Sequence, residues 1–143
     1  MPALLEFGEF QPDVDYVLRP GGYAVICHSD GRVAVIKANR GYSLPGGGQD
    51  DDESPEQAAV REAYEECGLR IQVQRLIGTV DQLVFAASEQ AHFRKRCTFF
   101  TATLIEQSGA GERDHVLEWM PLRDASVAMR HESQRWAIDA AGL

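Results

Sequence analysis

The sequence predicts an α/β protein in which helices cover a mixed β-sheet. Three observations support this fold class: β-rich runs lie on both sides of a central amphipathic segment, that segment has helix signals at both ends, and a second helical segment closes the chain. The 143 residues include no low-complexity tract, linker or internal repeat, so we expect a single domain spanning residues 1–143. Strand order does not follow from these patterns.

The first predicted strands form a hairpin. Residues Tyr23–His28 and Arg32–Lys37 are rich in β-branched and other apolar side chains, and an Asp-Gly pair lies between them. Residues Gly41–Leu44 follow, and the cluster Pro45–Gly48 is predicted to be a loop because it contains three consecutive glycines.

The central segment from Ser54 to Cys67 is predicted to be a helix. Ser54 suits the N-cap, Pro55 suits the first helical position, and Gln57 completes a capping box. Gly68 suits the residue that ends the helix.

The second half of the chain is predicted to contain three or four strands and a final helix. These elements are, in order, one or two strands over Arg70–Phe85, a strand over Cys97–Ile105, a loop over 106–114, a short strand over His115–Trp119, and a helix over Arg130–Ala141. Within that helix, Trp136 and Ile138 are expected to face inward.

The central helix has one apolar and one acidic face. At about 100° per residue, the predicted core face contains Val60, Ala63, Tyr64 and Cys67, with Ala59 at its edge. The other face carries Glu62, Glu65 and Glu66. Like charges at these spacings destabilise a helix by roughly 0.2–0.5 kcal/mol per pair, and the macrodipole disfavours anions near the C-terminal end. This face is either a solvated acidic surface or a carboxylate cluster for a hard divalent cation.

The residues around the acidic face favour the metal-binding interpretation. Arg61 lies four residues before Glu65, and Glu53 precedes the helix. The triple-glycine segment leads into the helix, and glycine lets the main chain approach a metal or phosphate without an intervening Cβ. The helix N-terminus also offers N–H groups to an anion.

Residues 47–69 read GGQDDDESPEQAAVREAYEECGL, which resembles the Nudix box, G-x5-E-x7-R-E-U-x-E-E-x-G-U with U apolar. The fixed positions are filled by Gly47, Glu53, Arg61, Glu62, Glu65, Glu66 and Gly68, and the apolar positions by Ala63 and Leu69. Two variable positions depart from many relatives: Asp52 stands where glycine is common, and Gln49 where an apolar residue is common.

The resemblance implies a Nudix-type α/β/α sandwich around a mixed sheet, and hydrolysis of a nucleoside diphosphate linked to another group. By the same resemblance, Mg²⁺ or Mn²⁺ is held by the Gly47 carbonyl with Glu62, Glu65 and Glu66. Arg61 and Glu53 form an ion pair that steadies the loop. Glu62 or Glu66 acts as general base. A further ligand or base is expected from Glu112 or Asp114, which also read as plain loop charges.

Residues outside the box are candidates for substrate recognition. The candidates for phosphate contact are Lys37, Arg40 and the basic run Arg94, Lys95 and Arg96; Glu112 is a further candidate for the substrate site. The alternative for the basic run is a solvated strand edge. The candidates for base stacking are Tyr42, Phe85, Phe93 and Phe99, with burial in the core as the alternative. The four histidines show no metal-type spacing, so we assign them no role.

The chain's net charge of −8 argues against a broad basic face for nucleic acid, so the expected partner is a small nucleotide. No stretch has the length and apolarity of a membrane span, and the N-terminal residues do not resemble a secretory signal, so we expect a cytoplasmic protein that binds no membrane. Three cysteines without a CxxC pair are expected to be reduced thiols.

Two questions stay open at this point. The apolar segment Leu4–Phe10 packs either on its own domain or on the partner subunit of a homodimer. The alternative to an enzyme is a sensor that binds a nucleotide without cutting it. Because all box carboxylates are present, the enzyme is favoured.

Overall fold

The computed structural model describes residues 4–109, 111 and 115–143. Within this part of the chain the strands are β1 (Glu6–Phe7), β2 (Tyr16–Cys27), β3 (Arg32–Ala38), β4 (Gly41–Ser43), β5 (Gly46–Gly48), β6 (Leu69–Ala86), β7 (Ala91–Gln107) and β8 (Val116–Pro121), and the helices are α1 (Pro55–Cys67), α2 (Leu122–Ala128) and α3 (Glu132–Ala140). None of these helices is long and apolar enough to cross a membrane.

The strands form one mixed sheet in the order β1-β6-β7-β2-β3-β4, with β5 paired to β2 and β8 paired to β3. The long strands β6 and β7 form an antiparallel hairpin, whereas β2 runs parallel to β7 along its whole length. The predicted hairpin of β2 and β3 is present, and Gly31 in its turn has a φ of +88°. The predicted mixed sheet is therefore confirmed.

The two faces of the sheet are covered by different helices. On β2, Ala24 and Ile26 lie in the cluster packed against α1, while Val25 lies in the cluster packed against α2 and α3. Because successive strand residues point to opposite faces, one run of apolar residues supplies both layers. The inward positions predicted for Ile138 and Trp136 are confirmed: Ile138 is buried, and Trp136 packs on the same cluster.

Helix α1 has the caps that the sequence predicts. The Ser54 side chain accepts from the Gln57 main-chain N–H, and the Gln57 side chain accepts in turn from Ser54 N–H. Gly68 has the left-handed conformation with a φ of 68°, and its N–H bonds to the Tyr64 carbonyl. These local hydrogen bonds satisfy helix-end groups without help from the rest of the fold.

Several predicted boundaries are wrong. The cluster Pro45–Gly48 is not simply a loop, because Gly46–Gly48 pair with β2 as a short strand. Strand β2 begins at Tyr16 rather than Tyr23, and β7 runs from Ala91 to Gln107, beyond both ends predicted for it. Helix α2 was not predicted, since no side-chain cap marks its start, and α3 begins at Glu132 rather than Arg130.

The predicted core face of α1 is confirmed for Ala59, Ala63 and Cys67 and is wrong for Val60 and Tyr64. Val60 and Tyr64 are 37% and 50% exposed, whereas the buried residues of α1 are Ala58, Ala59, Ala63 and Cys67. This turns Glu62 and Glu66 toward the sheet, into half-buried positions. Alanines occupy the buried positions of α1 because the helix lies close to glycines of the sheet, where larger side chains would not fit.

Candidate functional site

The site begins where α1 packs against glycines in the sheet. A Cβ built on Gly22 would lie 1.8 Å from the Pro55 carbonyl oxygen, and a Cβ on Gly47 would lie 2.8 Å from the carboxyl carbon of Glu62. Only glycine fits at position 22, where the contact is with main chain, whereas a side chain at position 47 would displace the Glu62 carboxylate. Because Gly47 has no side chain, its main chain lies directly against the Glu62 carboxylate.

Arg61 holds the acidic residues of this region together. Its guanidinium forms two hydrogen bonds to Glu53, of 2.7 and 2.9 Å, so the ion pair implied by the resemblance is present. It also donates to Glu62 at 2.6 Å and to Glu65 at 3.0 Å. A further bond of 2.9 Å reaches the Gly48 carbonyl and ties the helix to β5.

The charges in this cluster shift the pKa values of its members. The hydrogen bonds from Arg61, with one from the Asp50 N–H, lower the pKa of Glu53 to about 2. The same bond to Glu53 is the main cause that raises the pKa of Arg61. Both groups are therefore charged throughout the ordinary pH range.

Glu66 lies beside the glycine strand rather than beside Arg61. Its Oε1 accepts a 2.9 Å bond from the Gly46 N–H, and its Oε2 lies 3.9 Å from Nδ1 of His115. Burial raises the pKa of the Tyr23 phenol, and the Glu62 and Glu66 carboxylates add to that shift. His115 was given no role from the sequence, because no motif links it to α1.

Among the described residues, no three carboxylate, thiolate or imidazole side chains already converge on one point. Glu62 and Glu65 each direct an oxygen to Arg61, while Glu66 faces Gly46. The donors nevertheless fit a hard divalent cation, which takes carboxylate and carbonyl oxygens. A Cβ on Gly47 would meet the second Glu62 oxygen at 2.9 Å, so this carboxylate reaches both Arg61 and the glycine strand.

Asp52 has a left-handed main-chain conformation of the kind that glycine adopts most easily. Its φ is 66°, in the left-handed region that aspartate tolerates better than most residues. Aspartate at this box position is therefore compatible with the left-handed main chain found just before Glu53.

A cleft of about 420 Å³ opens on the α3 face of the sheet and ends at the glycine strand and Glu66. Its walls come from distant parts of the chain: β2, the β3–β4 turn, β5, the β6–β7 hairpin and the start of α3. The polar and charged residues that line it include Arg19, Arg40, Lys95, Arg130, Glu66, Glu89, Gln82, Gln134 and His131.

The cleft is rich in cations although the chain is acidic. Arg40, Lys95 and Arg130 line it, and none of the three forms an ion pair with a carboxylate in the described part of the chain. Arg19 lies 3.4 Å from Glu89 and stacks over Phe93. A local surplus of positive charge beside Glu66 suits an anionic ligand.

The structure separates the residues of the predicted basic run. Lys95 faces the cleft, while Arg94 and Arg96 point to the opposite side and bind Asp81, whose side chain is only 4% exposed. Burial opposes the ionisation of Asp81, but the hydrogen bonds from Arg96 and Arg94 outweigh it and lower its pKa. Two of the three cations are thus held in a structural network.

The remaining predicted site residues have different positions. Arg40 lines the cleft, whereas Lys37 is exposed on β3, opposite Tyr42, and does not line it. Glu112 and Asp114 lie outside the described residues. Of the four aromatic candidates, Phe99 is buried in the core and Tyr42 packs on the α2–α3 cluster. Phe85 and Phe93 both line the cleft, Phe85 half exposed and Phe93 buried beneath Arg19.

Sequence reasoning missed several residues that line the cleft. Gln82, Arg130, His131 and Gln134 lie far from the box in sequence, and no spacing connects them to it. Burial, followed by the positive charges of Arg130 and Lys95, lowers the pKa of His131 to about 4. Its imidazole is therefore neutral near pH 7.

This architecture matches that of a known protein family. The NUDIX domain model matches residues 17–140. A solved NUDIX hydrolase from Nitrosomonas europaea superposes with a TM-score of 0.68 at 20% identity, covering 87% of this chain and 88% of that one. That likeness confirms the predicted α/β fold.

Two curated relatives are similar over shorter stretches. An RNA pyrophosphohydrolase of Aeromonas hydrophila is 48% identical over 54 residues, which cover 36% of this chain and 31% of the relative. Diphosphoinositol polyphosphate phosphohydrolase 3-alpha of Mus musculus is 49% identical over 89 residues, or 59% and 49% of the two chains. This chain thus spans half or less of the length of either relative. Since the family match extends over most of its residues, the chain belongs to the NUDIX domain family.

Proposed function

We propose that this protein hydrolyses a phosphoanhydride bond in a nucleoside diphosphate linked to another group, with Mg²⁺ or Mn²⁺ as cofactor. The observation that carries the proposal is that one cleft is lined both by Glu66 with the glycine strand Gly46–Gly48 and by three cations. These cations are Arg40, Lys95 and Arg130. Glu66 with the glycine strand suits a divalent cation, and the three cations suit phosphates. Family membership and relatives named as pyrophosphohydrolases support it.

The residues that would hold the cation are the Gly47 carbonyl, Glu62, Glu65 and Glu66. A bound divalent ion supplies neutralisation of phosphate charge and a lowered pKa for a water molecule. Glu62 and Glu65 each accept a hydrogen bond from Arg61. Arg61 also bonds to the Gly48 carbonyl, and so it fixes the position of these carboxylates relative to β5. In this proposal Arg61 and Glu53 are positioning residues.

The chain's own groups account for the rest of the reaction. Arg40, Lys95 and Arg130 bind phosphate oxygens and orient the anhydride. Water oxygen forms a bond to one phosphorus, the bond from that phosphorus to the bridging oxygen breaks, and Glu62 or Glu66 takes the proton that the water loses. The products are two phosphate-ended fragments.

The experiment that tests the proposal is a hydrolysis panel with product identification. It contains nucleoside triphosphates and their oxidised forms, ADP-ribose and other nucleotide sugars, and dinucleoside polyphosphates. An RNA that carries a terminal phosphoanhydride and a diphosphoinositol polyphosphate are added, because one relative is named an RNA pyrophosphohydrolase and another a diphosphoinositol polyphosphate phosphohydrolase. We expect Mg²⁺-dependent release of a nucleoside phosphate from at least one nucleotide and none with a chelator. Tight nucleotide binding without product over hours would instead support the sensor.

A paired variant tests the role of the cleft cations. Lys95→Gln and Arg130→Gln remove cations that line the cleft, so KM is expected to rise with a smaller change in kcat. Arg70→Gln is the matched control, because Arg70 is exposed on β6 and does not line this cleft. Equal KM values for all three variants and the unmodified protein would refute phosphate binding in this cleft.

The proposal includes a cytoplasmic location and leaves two arrangements for the N-terminal apolar segment, packing on its own domain or on the partner subunit of a homodimer. A cytoplasmic site of action is supported by three free cysteines. Strand β1 pairs with β6 of its own chain. Leu4, Leu5 and Phe10 are exposed, and in a homodimer they would pack against the partner subunit. Sedimentation at micromolar concentration distinguishes them.

A further inference from the structure

Tyr23 lines the cleft together with Glu66, and the proposed reaction assigns it no role. It lies on β2 between Gly46 of β5 and Phe99 of β7, which are its partners in the sheet. Its ring is tilted against Phe99 with the centroids 5.5 Å apart, and a Cβ built on Gly46 would lie 2.4 Å from its Cδ1. Because neighbours on both sides confine the ring, its hydroxyl is held in a defined place.

The Tyr23 hydroxyl lies near the carboxylates of α1. Burial raises the pKa of the phenol, and the charges of Cys97, Glu66 and Glu62 raise it further. Because the influence of a charge falls with distance, these three groups lie close to the phenol. In the described part of the chain the hydroxyl has no hydrogen-bond partner, and it is not closed off from solvent. It therefore offers a donor to the open cleft.

The sheet leaves a depression beside Tyr23. The residues of β2 that line the cleft are Arg19, Gly21 and Tyr23, and the middle one has no side chain. Gly21 pairs with the buried Cys97 of β7, whereas Arg19 pairs with Lys95. At roughly 3.3 Å per residue, the main chain of the Arg19–Lys95 pair lies about 13 Å along the strands from that of Tyr23. The phenol and the cations therefore border opposite ends of one depression.

In the proposed reaction, a phosphate occupies the Tyr23 end of this depression. Glu66 and the glycine strand line that end, and the phosphate that reacts must lie beside them. Ionised carboxylates only accept hydrogen bonds, so they cannot bond directly to a phosphate oxygen. A phenol with an ordinary pKa near 10 keeps its proton at pH 7 and can donate it. Such a bond to an anionic oxygen is stronger than one between neutral groups.

We propose that Tyr23 is a further catalytic residue, whose hydroxyl donates a hydrogen bond to a non-bridging oxygen of the phosphate that water attacks. A fixed donor at this place acts where charge develops in the transition state. The phenol keeps its proton throughout, and Glu62 or Glu66 remains the base. The inference rests on the proposed function, because it takes the ligand to be a phosphoanhydride.

The variant Tyr23→Phe removes the hydroxyl and keeps the ring. Calorimetry measures the binding of methylenediphosphonate, an analogue of pyrophosphate that cannot be hydrolysed, in the presence of Mg²⁺. We expect the variant to bind it about tenfold more weakly than the unmodified chain, because one hydrogen bond to a charged group is lost. Tyr64→Phe is the matched control, because Tyr64 is half exposed on α1 and does not line this cleft. Equal affinities in Tyr23→Phe and the unmodified chain, or no binding by the unmodified chain at millimolar concentration, would overturn the inference.

Mn²⁺ binding distinguishes a contact with phosphate from support of the carboxylates. Tyr23→Phe should bind Mn²⁺ as tightly as the unmodified chain, measured by electron paramagnetic resonance of the free ion. With the best substrate of the panel, its kcat should fall by roughly 10²-fold and its KM should change less. Weaker Mn²⁺ binding would show that Tyr23 acts through the metal-binding carboxylates, and an unchanged kcat would refute its catalytic role.

If Tyr23→Phe does not fold, the unmodified chain still decides. The chain has four tyrosines, and ¹³C at Cζ gives each of them one resonance. The variants Tyr16→Phe, Tyr42→Phe and Tyr64→Phe identify the Tyr23 resonance by elimination. Methylenediphosphonate with Mg²⁺ should shift that resonance relative to Mg²⁺ alone, and the absence of a shift would show that the phenol contacts no phosphate.

The failures of the two proposals are distinguishable. A chain that hydrolyses nothing in the panel, yet needs Tyr23 to bind methylenediphosphonate, refutes the proposed function and leaves the phosphate contact of Tyr23 standing. A chain that hydrolyses nucleotides equally well with Tyr23→Phe refutes the role of Tyr23 alone.

Discussion

Two clusters of arginines and carboxylates in this molecule differ in their charge balance. In the first, which we call the box cluster, Arg61 alone contacts four carboxylates: Asp50, Glu53, Glu62 and Glu65. In the second, the hairpin cluster, Arg94 and Arg96 contact two carboxylates, Asp81 and Glu6. The box cluster thus has a surplus of three negative charges, before Glu66 is added, and the hairpin cluster has none.

The difference in charge balance suits the box cluster to binding a cation and the hairpin cluster to stabilising the fold. In the hairpin cluster the charges balance around the buried Asp81, so the cluster needs no ligand to neutralise it. An unbalanced one stores like-charge repulsion that a divalent cation would relieve, and it lies where the glycine strand leaves room. Substitutions in the two clusters should therefore affect different measurements.

The largest expected effect is on hydrolysis. Glu62→Gln removes one negative oxygen from the box cluster, and Glu66→Gln removes one at the neighbouring glycine strand. For each variant we expect kcat to fall by roughly 10²–10⁴-fold while the fold persists. The measurement is steady-state hydrolysis of the best substrate in the panel, with circular dichroism as the folding check. Glu106→Gln, on the exposed end of β7, is the control and should keep full activity. Full activity in the box variants would refute the metal assignment.

The next effect is on stability and concerns the hairpin cluster. Asp81→Asn removes the buried anion between two partly exposed arginines, and Arg94 keeps its contact with Glu6, so the free energy of unfolding should fall by about 1.5 kcal/mol. Urea unfolding measures it. Asp15→Asn, at an exposed residue, should change stability by no more than about 0.5 kcal/mol. A loss that small for Asp81→Asn would mean that the hairpin cluster contributes little.

Metal addition should distinguish the clusters directly. Mn²⁺ at about 100 times its Kd should stabilise the folded chain by about 2.7 kcal/mol. This gain should vanish in Glu66→Gln and persist in Asp81→Asn. Thermal unfolding with and without Mn²⁺ provides the comparison, and an undiminished gain in Glu66→Gln would place the metal elsewhere.

The smallest effect is the pH dependence contributed by Glu53. Its pKa of about 2 lies below the ordinary value of 4.5, so its contribution to stability is complete above pH 4.5 and is lost as the pH falls toward 2. In that window the unfolded chain binds up to about one proton more than the folded chain at this residue. Glu53→Gln should therefore flatten the dependence of the melting temperature on pH between about 4.5 and 2. An unchanged slope would show that the Arg61 contact does not stabilise the folded state.

Some elements were readable from the sequence because their signals are local. Both caps of α1 depend on side-chain and main-chain groups within four residues of each other, and they form as expected. The orientation of the same helix was readable only in part, because Ala59, Ala63 and Cys67 are buried as predicted but two larger residues are not. Periodicity placed Val60 and Tyr64 inward, but the structure turns Glu62 and Glu66 toward the sheet, because close approach to Gly22 and Gly47 admits only small neighbours.

The candidate site divides in the same way. Residues of the box are contiguous, so their chemistry could be named from a pattern of 23 residues, and Arg40 and Lys95 were named from their charge alone. Whether a cation faces the cleft or a buried partner depends on strand register: Lys95 and its neighbours Arg94 and Arg96 alternate between the two faces of β7.

By itself, then, the sequence determined the helix with its caps, the acidic and glycine residues that suit a divalent cation, and the class of fold. Only the tertiary structure decided which residues surround the substrate, because Gln82, Arg130 and Gln134 meet the glycine strand through a sheet whose strand order no local pattern encodes. Local hydrogen bonds and periodicity act over a few residues, whereas a cleft is made by chain segments that packing brings together.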